Sequence, residues 1–283
     1  MTEYVSCVKI KKIIRDGNLE EKRLKRFIED VKKYREYAVY SAKSGLKSEV
    51  ANSHLSWLWW ILDPLLFMMV YSFISVVVFG KSEKYLVAFI FIGLSSWTFF
   101  STTIKQSVRL VTRNSSIVSK IYIPKYMLIF IQMMINAFKM SISYLLVIGT
   151  MIFYQVPVTV KIFYVIPLFL TLFFVTFGIS SICMHFGVFI EDLYNVVNVF
   201  LRLVFYLSGI FYSISKRVSP PYSTILLKFN PIAYIMQSLR ECMIYSTTPD
   251  GKWLLIWLFV GMILSAAGVY TIYKYENSYV KVI

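Results

Sequence analysis

Six long apolar segments decide what this 283-residue chain can fold into. Each has about 20 or more residues and at most one Asp, Glu, Lys or Arg, enough for a helix to cross roughly 30 Å of hydrocarbon. The segments are Trp57 to Phe79, Tyr85 to Ile104, Tyr126 to Tyr154, Ile162 to Ile190, Leu193 to Ser215 and Trp253 to Tyr273. The sequence therefore predicts an all-α membrane protein with six transmembrane helices.

The net charge of +15 comes from basic residues that are concentrated in alternate loops between these segments. Twenty of the 30 basic residues lie before the first segment, between the second and third, or after the sixth, whereas eight lie in the other loops. Because basic loops stay in the cytoplasm, both termini are predicted to lie on the cytoplasmic side of a plasma membrane. Membrane topology accounts for the charge, so we expect no nucleic-acid partner. The three cysteines lack metal-ligand spacing, and no metal site is predicted.

Residues 1–56 form a cytoplasmic N-terminal segment, distinct from the six-span region at 57–283. A helix capped at Asn18 is predicted, with basic residues around one apolar face. That face consists of Leu24, Phe27, Ile28, Val31, Tyr34 and Ala38. Such an amphipathic helix suits an anionic leaflet, and packing on a small cytosolic cap is the alternative. Gly45 is expected to end the helix.

An acidic residue and a proline, Asp63 and Pro64, interrupt the first apolar segment. Each would cost about 3 kcal/mol at the centre of a membrane helix. They lie close to Trp57 and Trp60, which mark the cytoplasmic interface, where water and neighbouring backbone still reach them. We therefore predict a kink or a fresh helix start at the membrane entrance.

Five stretches in one order resemble the ABC-2 type export permeases, specifically the branch that exports O-antigen polysaccharides and wall teichoic acids. The first matches the signature of the first span and the last matches the external segment before the sixth. The stretches are LSWLWWILDPLLFMMVYSF, FIFIGLSSWTFFSTTI, NSSIVSKIYIPKYML, VFIEDLYNVV and KFNPIAYIMQSLREC. The resemblance implies a transport subunit rather than an enzyme, moving a lipid-linked glycan or polyol phosphate polymer.

The chain has no G-x-x-x-x-G-K-[S/T] loop to hold ATP phosphates. The resemblance implies that two copies of the permease pair with two ABC ATPase subunits. ATP and Mg would then bind on the partner, with no cofactor in this chain.

The loop KQSVRLVTRNSSIVSKIYIPKY is predicted to couple this chain to the ATPase. Asn114, Ser115 or Ser116 is expected to cap a short helix that Pro124 ends. The alternative is an ordinary positively charged cytoplasmic loop. The candidate coupling residues are Arg109, Arg113, Asn114, Ile117, Lys120 and Pro124.

The outer loop, about 216–252, contains two apolar pieces that are too short to span, YSTILLKF and PIAYIMQSL. Asn230 and Pro231 separate them as a turn would. Two short re-entrant helices fit this pattern, and in the resembling family such elements form an external gate, to which we add Arg240. A small folded cap with Arg240 as a surface charge is the alternative.

Two cations, Lys139 and Arg202, lie within apolar segments. Ionisable groups at this depth usually face a bundle interior or a watery cavity, so we hypothesise that one of them meets the phosphate of the polymer. An internal ion pair or snorkelling is the alternative. Aromatic rings can slide along sugar faces, and four positions are candidates for the pathway. They are Tyr71, Trp97, Phe99 and Phe100.

Two other functions stay open from the residues alone. A drug or small-lipid exporter would share the mechanism but have a narrower, more apolar cavity. A membrane transferase would need clustered acids or histidines, and the chain offers His185, Glu191 and Asp192 without a supporting constellation.

Overall fold

The computed structural model describes residues 27–51, 55–77 and 83–282, and in this part of the chain it contains helices and turns but no β-strand. The prediction of an all-α fold is confirmed. The helices are α1 (27–50), α2 (Trp59–Val77), α3 (Leu86–Val108), α4 (Leu110–Arg113), α5 (Ser115–Val118), α6 (Lys125–Phe153), α7 (Val165–Phe189), α8 (Leu193–Leu207), α9 (Ile214–Arg217), α10 (Tyr222–Phe229), α11 (Pro231–Met243) and α12 (Gly251–Val282). Short 3-10 turns precede α2 and α7.

Within the described residues, four helical stretches are long and apolar enough to cross a membrane. They are Leu86–Val108, Lys125–Phe153, Val160–Phe189 and Gly251–Tyr279. Two shorter apolar stretches, Trp59–Ile74 and Leu193–Leu207, coincide with the first and fifth predicted segments. The chain is therefore an integral membrane protein by the length and composition of its helices.

The fifth segment is shorter than predicted. A single helix was expected to reach Ser215, but α8 ends at Leu207 after 15 residues. Gly209 then adopts a left-handed backbone with φ of 64°, which ends the helical path. A Cβ atom at Gly209 would lie 2.5 Å from the side chain of Ile214, so the turn is also too tight for a larger residue.

The first segment is one helix rather than two. After a 3-10 turn at Ser56–Leu58, α2 runs from Trp59 through Pro64 to Val77. The helix therefore begins before Asp63, so the expected fresh start at this pair is wrong, and the alternative of a kink there stays a prediction. Pro64 lies in the second turn of α2, where it cannot donate to the carbonyl four residues back, and the helix continues past it.

The core of the bundle forms around α3, most of whose residues are buried. Helix α7 packs along α12, and glycines allow their backbones to approach closely. A Cβ at Gly178 would lie 2.6 Å from the Cβ of Leu264, and one at Gly268 would lie 2.4 Å from the Cβ of Ser181. Close packing of small residues is a usual way for helices to associate in a membrane.

Helix α1 packs parallel to α6 and continues past Gly45. Phe27 contacts Tyr126 at one end, with ring centroids 5.1 Å apart. A Cβ at Gly45 would lie 2.7 Å from Ile135 Cδ1, so this glycine permits close helix contact and does not end the helix. The prediction that α1 stops at Gly45 is therefore wrong. The proposed cap at Asn18 and the face residue Leu24 lie outside the described residues.

The predicted apolar face of α1 is largely correct. Ala38 is buried, and Phe27, Val31 and Tyr34 pack against the core. Ile28 is the exception, with 51% of its surface exposed. Basic side chains cover the outer surface of α1, and the exposed ones are Lys32, Lys33, Arg35, Lys43 and Lys47.

Candidate coupling surface and transport face

The predicted coupling loop contains two short helices, α4 and α5, joined at Asn114. Asn114 occupies the N-cap position of α5, but its side chain does not cap that helix. Instead, its Nδ2 donates to the carbonyl of Leu110, 2.7 Å away, in the preceding helix. Pro124 begins α6 as its N-cap residue and lies six residues beyond the end of α5 at Val118. One short helix was predicted here, and two are present. The predicted side-chain cap at Asn114 and the predicted helix end at Pro124 are wrong, because Asn114 bonds backward to Leu110 and α5 already ends at Val118.

The loop presents both charged and apolar side chains at its surface. Arg113 and Lys120 are exposed, and Ile117 has 38% of its surface exposed. Arg109 is also exposed, and its guanidinium carbon lies 4.3 Å from the ring centre of Tyr194 on α8. An exposed isoleucine among cations is a suitable contact for a partner protein.

A polar cluster joins this loop to the end of α12. The hydroxyl of Tyr122 donates to Glu276 Oε2 at 3.2 Å, and Lys125 Nζ lies 3.6 Å from Glu276 Oε1. Both Lys125 and Glu276 are buried. The loop is therefore bonded to α12 as well as continuous with α6, which begins at Lys125.

A second polar cluster joins α1 to the same two helices. The hydroxyls of Tyr126 on α6 and Tyr273 on α12 donate to Asp30 Oδ2, at 3.2 and 2.9 Å. The hydroxyl of Tyr34 donates to the carbonyl of Tyr122 in the loop, 3.1 Å away. The N-terminal helix, the loop, α6 and α12 therefore meet at one end of the bundle.

We expect Lys125→Met to destabilise the protein by about 1 to 3 kcal/mol, because the buried carboxylate of Glu276 loses a cation that lies 3.6 Å away. Replacing both residues with methionine should recover part of the loss, because the carboxylate that Lys125 neutralises is removed as well. Thermal unfolding of the purified variants in detergent measures both effects. A double variant less stable than Lys125→Met would contradict this account of the pair.

The predicted entrance residues lie at the start of α2. Trp57 and Asp63 are exposed, and Pro64 is half-buried. Trp60 packs edge-on against Phe138 of α6, with ring centroids 5.6 Å apart. The tryptophans thus include one anchored to the bundle and one that faces outward.

The four aromatic pathway candidates lie inside the packing of one chain. Tyr71 is half-buried and stacks on Phe211, with centroids 4.1 Å apart. Trp97, Phe99 and Phe100 are buried in the core. Trp97 lies 5.4 Å from Phe205, measured between ring centroids. Of the four, Tyr71 is the one with substantial exposed surface.

The two cations within the apolar segments have different surroundings. Lys139 forms an ion pair with Glu49 at the end of α1, and both side chains are about one-third exposed. For Lys139, the alternative prediction of an ion pair within the chain is therefore correct. Arg202 is exposed on α8. Within the described residues, no carboxylate lies within salt-bridge distance of Arg202.

The two short helices predicted before the last segment are present as α10 and α11. The Oδ1 atom of Asn230 accepts hydrogen bonds from the backbone amides of Ile232 and Ala233, and Pro231 takes the first helical position. The Nδ2 atom of Asn230 donates to Ser208 Oγ at 2.9 Å. Asn230 therefore caps α11 and ties it to the end of α8.

Arg240 of α11 is buried, and its guanidinium donates to three backbone carbonyls. These belong to Phe89 at 3.1 Å, Gly209 at 2.9 Å and Ile210 at 2.9 Å. Burial lowers the pKa of Arg240 to about 9. This value is still above 7, so the guanidinium stays charged at pH 7. The alternative of a surface charge in a small cap is wrong for Arg240. The residue joins α11, α3 and the turn after α8.

Several residues of these clusters were not found from the sequence. Glu49, Asp30 and Glu276 each pair with a residue many positions away, and no local pattern identifies such pairs. His185 was considered for a transferase, and its Nδ1 lies 2.8 Å from the hydroxyl of Tyr279. The described residues contain no group of three or more His, Cys, Asp or Glu side chains placed to hold a metal ion.

The sequence profile of the ABC-2 type transporter family matches residues 42–244. The chain is 25% identical over 239 residues to the O-antigen export system permease protein RfbA of Klebsiella pneumoniae, covering 84% of this chain and 91% of that protein. It is also 25% identical over 241 residues to the RfbA protein of Myxococcus xanthus, covering 84% and 92%. The prediction of a transport subunit is therefore confirmed, and the chain belongs to the ABC-2 type transporter family.

Proposed function

We propose that this chain is the permease subunit of an ATP-driven exporter that moves a lipid-linked polysaccharide or teichoic acid polymer across the bacterial plasma membrane. The observation that carries the proposal is its similarity, over 84% of its length, to permease proteins named for O-antigen export. Two permease copies and two ABC ATPase subunits form the complex, and ATP and Mg bind to the ATPase.

The proposed topology has six spans with both termini in the cytoplasm. Helices α2 and α8 complete the set formed by the four longer spans, and residues 1–56 precede this region. The charge distribution supports this orientation, because the more basic loops would face the cytoplasm. Helices α10 and α11 enter the outer leaflet as re-entrant elements and, with Asn230, Pro231 and Arg240, form an external gate.

The proposed pathway begins at the tryptophans and Asp63 of α2 and passes Tyr71. Trp97, Phe99 and Phe100 support its wall from within the bundle. Force enters through the coupling loop and reaches α6 and α12 through the buried Lys125 and Glu276 pair.

Reconstitution tests the proposal directly. The chain would be purified from its native membrane in mild detergent, its bound ATPase identified, and the complex placed in vesicles with lipid-linked polymer. We expect an ATPase in equal amount and ATP-dependent appearance of polymer on the far side. A complex that hydrolyses ATP and exports a drug but no polymer would overturn the proposed substrate.

We expect Ile117→Asp to weaken binding of the ATPase by at least about tenfold, because a carboxylate would enter an apolar contact. Polymer export should fall in parallel. Val158→Asp is the matched control, since Val158 is 65% exposed and lies beyond the opposite end of α6. Co-purification yield and the ATPase rate of the complex are the measurements. Equal yields from both variants would exclude Ile117 from the interface.

A further inference from the structure

From Trp97 onward, helix α3 is enclosed by the bundle except along one strip, and that strip is polar. After Trp97, the residues of α3 that are not buried are Thr98, Thr102, Lys105 and Gln106, and exposed Arg109 follows the helix. Thr98, Thr102, Lys105 and Arg109 recur at intervals of three or four residues, which places them on one helical face. A face turned to lipid would be apolar, so this strip faces water, a ligand or protein.

Helix α8 carries a similar strip beside an apolar one. Asn195, Asn198, Arg202 and Tyr206 recur at intervals of three or four residues, and Asn195, Arg202 and Tyr206 are exposed. The neighbouring exposed face is apolar, and it contains Val196, Val199, Phe200, Leu203 and Leu207. The polar side of α8 is therefore separate from the side suited to lipid or another helix.

The two helices run side by side in opposite directions, which brings the strips together. Trp97 meets Phe205, with ring centroids 5.4 Å apart, and Arg109 lies over Tyr194 at 4.3 Å. Along the two helices, Lys105 and Arg202 lie between these contacts. Three cations, Lys105, Arg109 and Arg202, thus share one surface, which we call the cationic strip.

The cationic strip has no acidic partner among the described residues. The ion pairs found there involve Lys125, Lys139 and Lys216, and none includes Lys105, Arg109 or Arg202. Like charges that share one surface attract an anion, and no carboxylate of the described residues supplies it here. Lys139, in contrast, has Glu49 as its counterion.

We propose that the cationic strip binds the phosphate groups at the lipid-linked end of the transported polymer. This inference rests on the proposed function. Arginine presents a planar fork of donors that matches phosphate oxygens, and lysine adds a mobile point charge. Thr98 and Thr102 continue the strip beyond the cations and supply hydroxyls that can bond to sugar. The strip therefore combines a phosphate subsite with the first contacts for the glycan.

Binding of a glycan-free probe tests this subsite without requiring export. The complete permease and ATPase complex would be placed in phosphatidylcholine nanodiscs and titrated with a polyprenyl diphosphate, with polyprenol as the phosphate-free comparison. We expect the diphosphate to bind at least about tenfold more tightly than polyprenol. Lys105→Gln and Arg202→Gln should each weaken diphosphate binding by about tenfold and leave polyprenol binding unchanged.

Two variants separate charge from folding. Arg202→Lys keeps the charge but lacks the planar fork, so it should bind the diphosphate more tightly than Arg202→Gln and less tightly than the original protein. Lys274→Gln removes an exposed cation from α12, away from the strip, and should change nothing. Thermal unfolding of all variants identifies any loss of folding, and tighter binding by Arg202→Lys than by Arg202→Gln shows that charge contributes.

Three results would overturn the subsite. The first is equal affinity of the complex for the diphosphate and for polyprenol. The second is diphosphate binding that stays unchanged in stably folded glutamine variants. The third is displacement of the diphosphate by an equal concentration of phosphatidylglycerol, which would assign the strip to bulk lipid headgroups. Polymer export by the unsubstituted complex is measured separately. Export with unchanged glutamine variants overturns the subsite alone, whereas charge-dependent diphosphate binding without polymer export supports the subsite and contradicts the proposed function.

Discussion

Arg240→Met is expected to destabilise the protein by roughly 3 to 5 kcal/mol, the largest effect of any single substitution considered for this chain. The guanidinium donates to the carbonyls of Phe89, Gly209 and Ile210. Gly209 and Ile210 lie in the turn after α8, outside any helix, so their carbonyls lose a partner that no neighbouring turn replaces. Thermal unfolding with size-exclusion chromatography in detergent measures the loss.

Two further variants define the cause. Arg240→Lys should be intermediate, because an ammonium keeps the charge but lacks the planar fork that reaches three acceptors. Arg35→Met removes an exposed arginine from α1 and should leave the unfolding temperature unchanged. If Arg240→Met unfolds at the original temperature, the three hydrogen bonds do not hold α11 in place.

Gly178→Leu is expected to cost more than about 3 kcal/mol and to separate α7 from α12. A Cβ atom there would lie 2.8 Å from the carbonyl carbon of Leu264 and 2.9 Å from the backbone nitrogen of Ser265. Because backbone atoms cannot turn aside as a flexible side chain can, the two helices would have to move apart. Loss of the folded peak in size-exclusion chromatography is the expected result.

Gly149→Leu is the matched control for this substitution. Gly149 lies in α6, and a Cβ atom there would meet nothing within 4 Å. Leucine is the better helix former, so this variant should be as stable as the original or more stable by up to about 1 kcal/mol. Equal behaviour of the two leucine variants would show that α7 and α12 do not depend on close backbone contact.

Helix positions were largely predictable because the signals for them are local. The apolar length of α3, α6, α7 and α12 identifies each helix within a few residues, except that α12 continues to Val282. Asn230 and Pro231 predict the start of α11 for the same reason, since a cap and its amides lie within three residues.

Long-range contacts explain what the sequence did not predict. Gly45 was taken for a helix end because glycine often has that role, but its environment is set by Ile135, ninety residues away. The early end of α8 involves Arg240, whose contact with Gly209 no local pattern reveals. The ion pair between Lys139 and Glu49 likewise joins residues that are far apart in the sequence.

The spacing of the polar residues in α3 can be read from the sequence, but only the burial of their neighbours shows that they form the open face of the helix. Thr98, Thr102 and Lys105 stand among many apolar and small residues, and their spacing alone is also typical of an ordinary helix face. The neighbouring positions proved to be enclosed, which showed that the polar side is the open one.

The length of α6 has a mechanical consequence. Its 29 residues make a continuous rod of about 43 Å, longer than the roughly 30 Å of hydrocarbon in a bilayer. The end at Lys125 and Tyr126, to which α1 and α12 are hydrogen-bonded or ion-paired, is one end of that rod. A tilt of about 10° around Phe153 would swing this end by about 7 Å. Helix α6 would thus act as a lever, converting a small rotation into a displacement as large as a sugar ring.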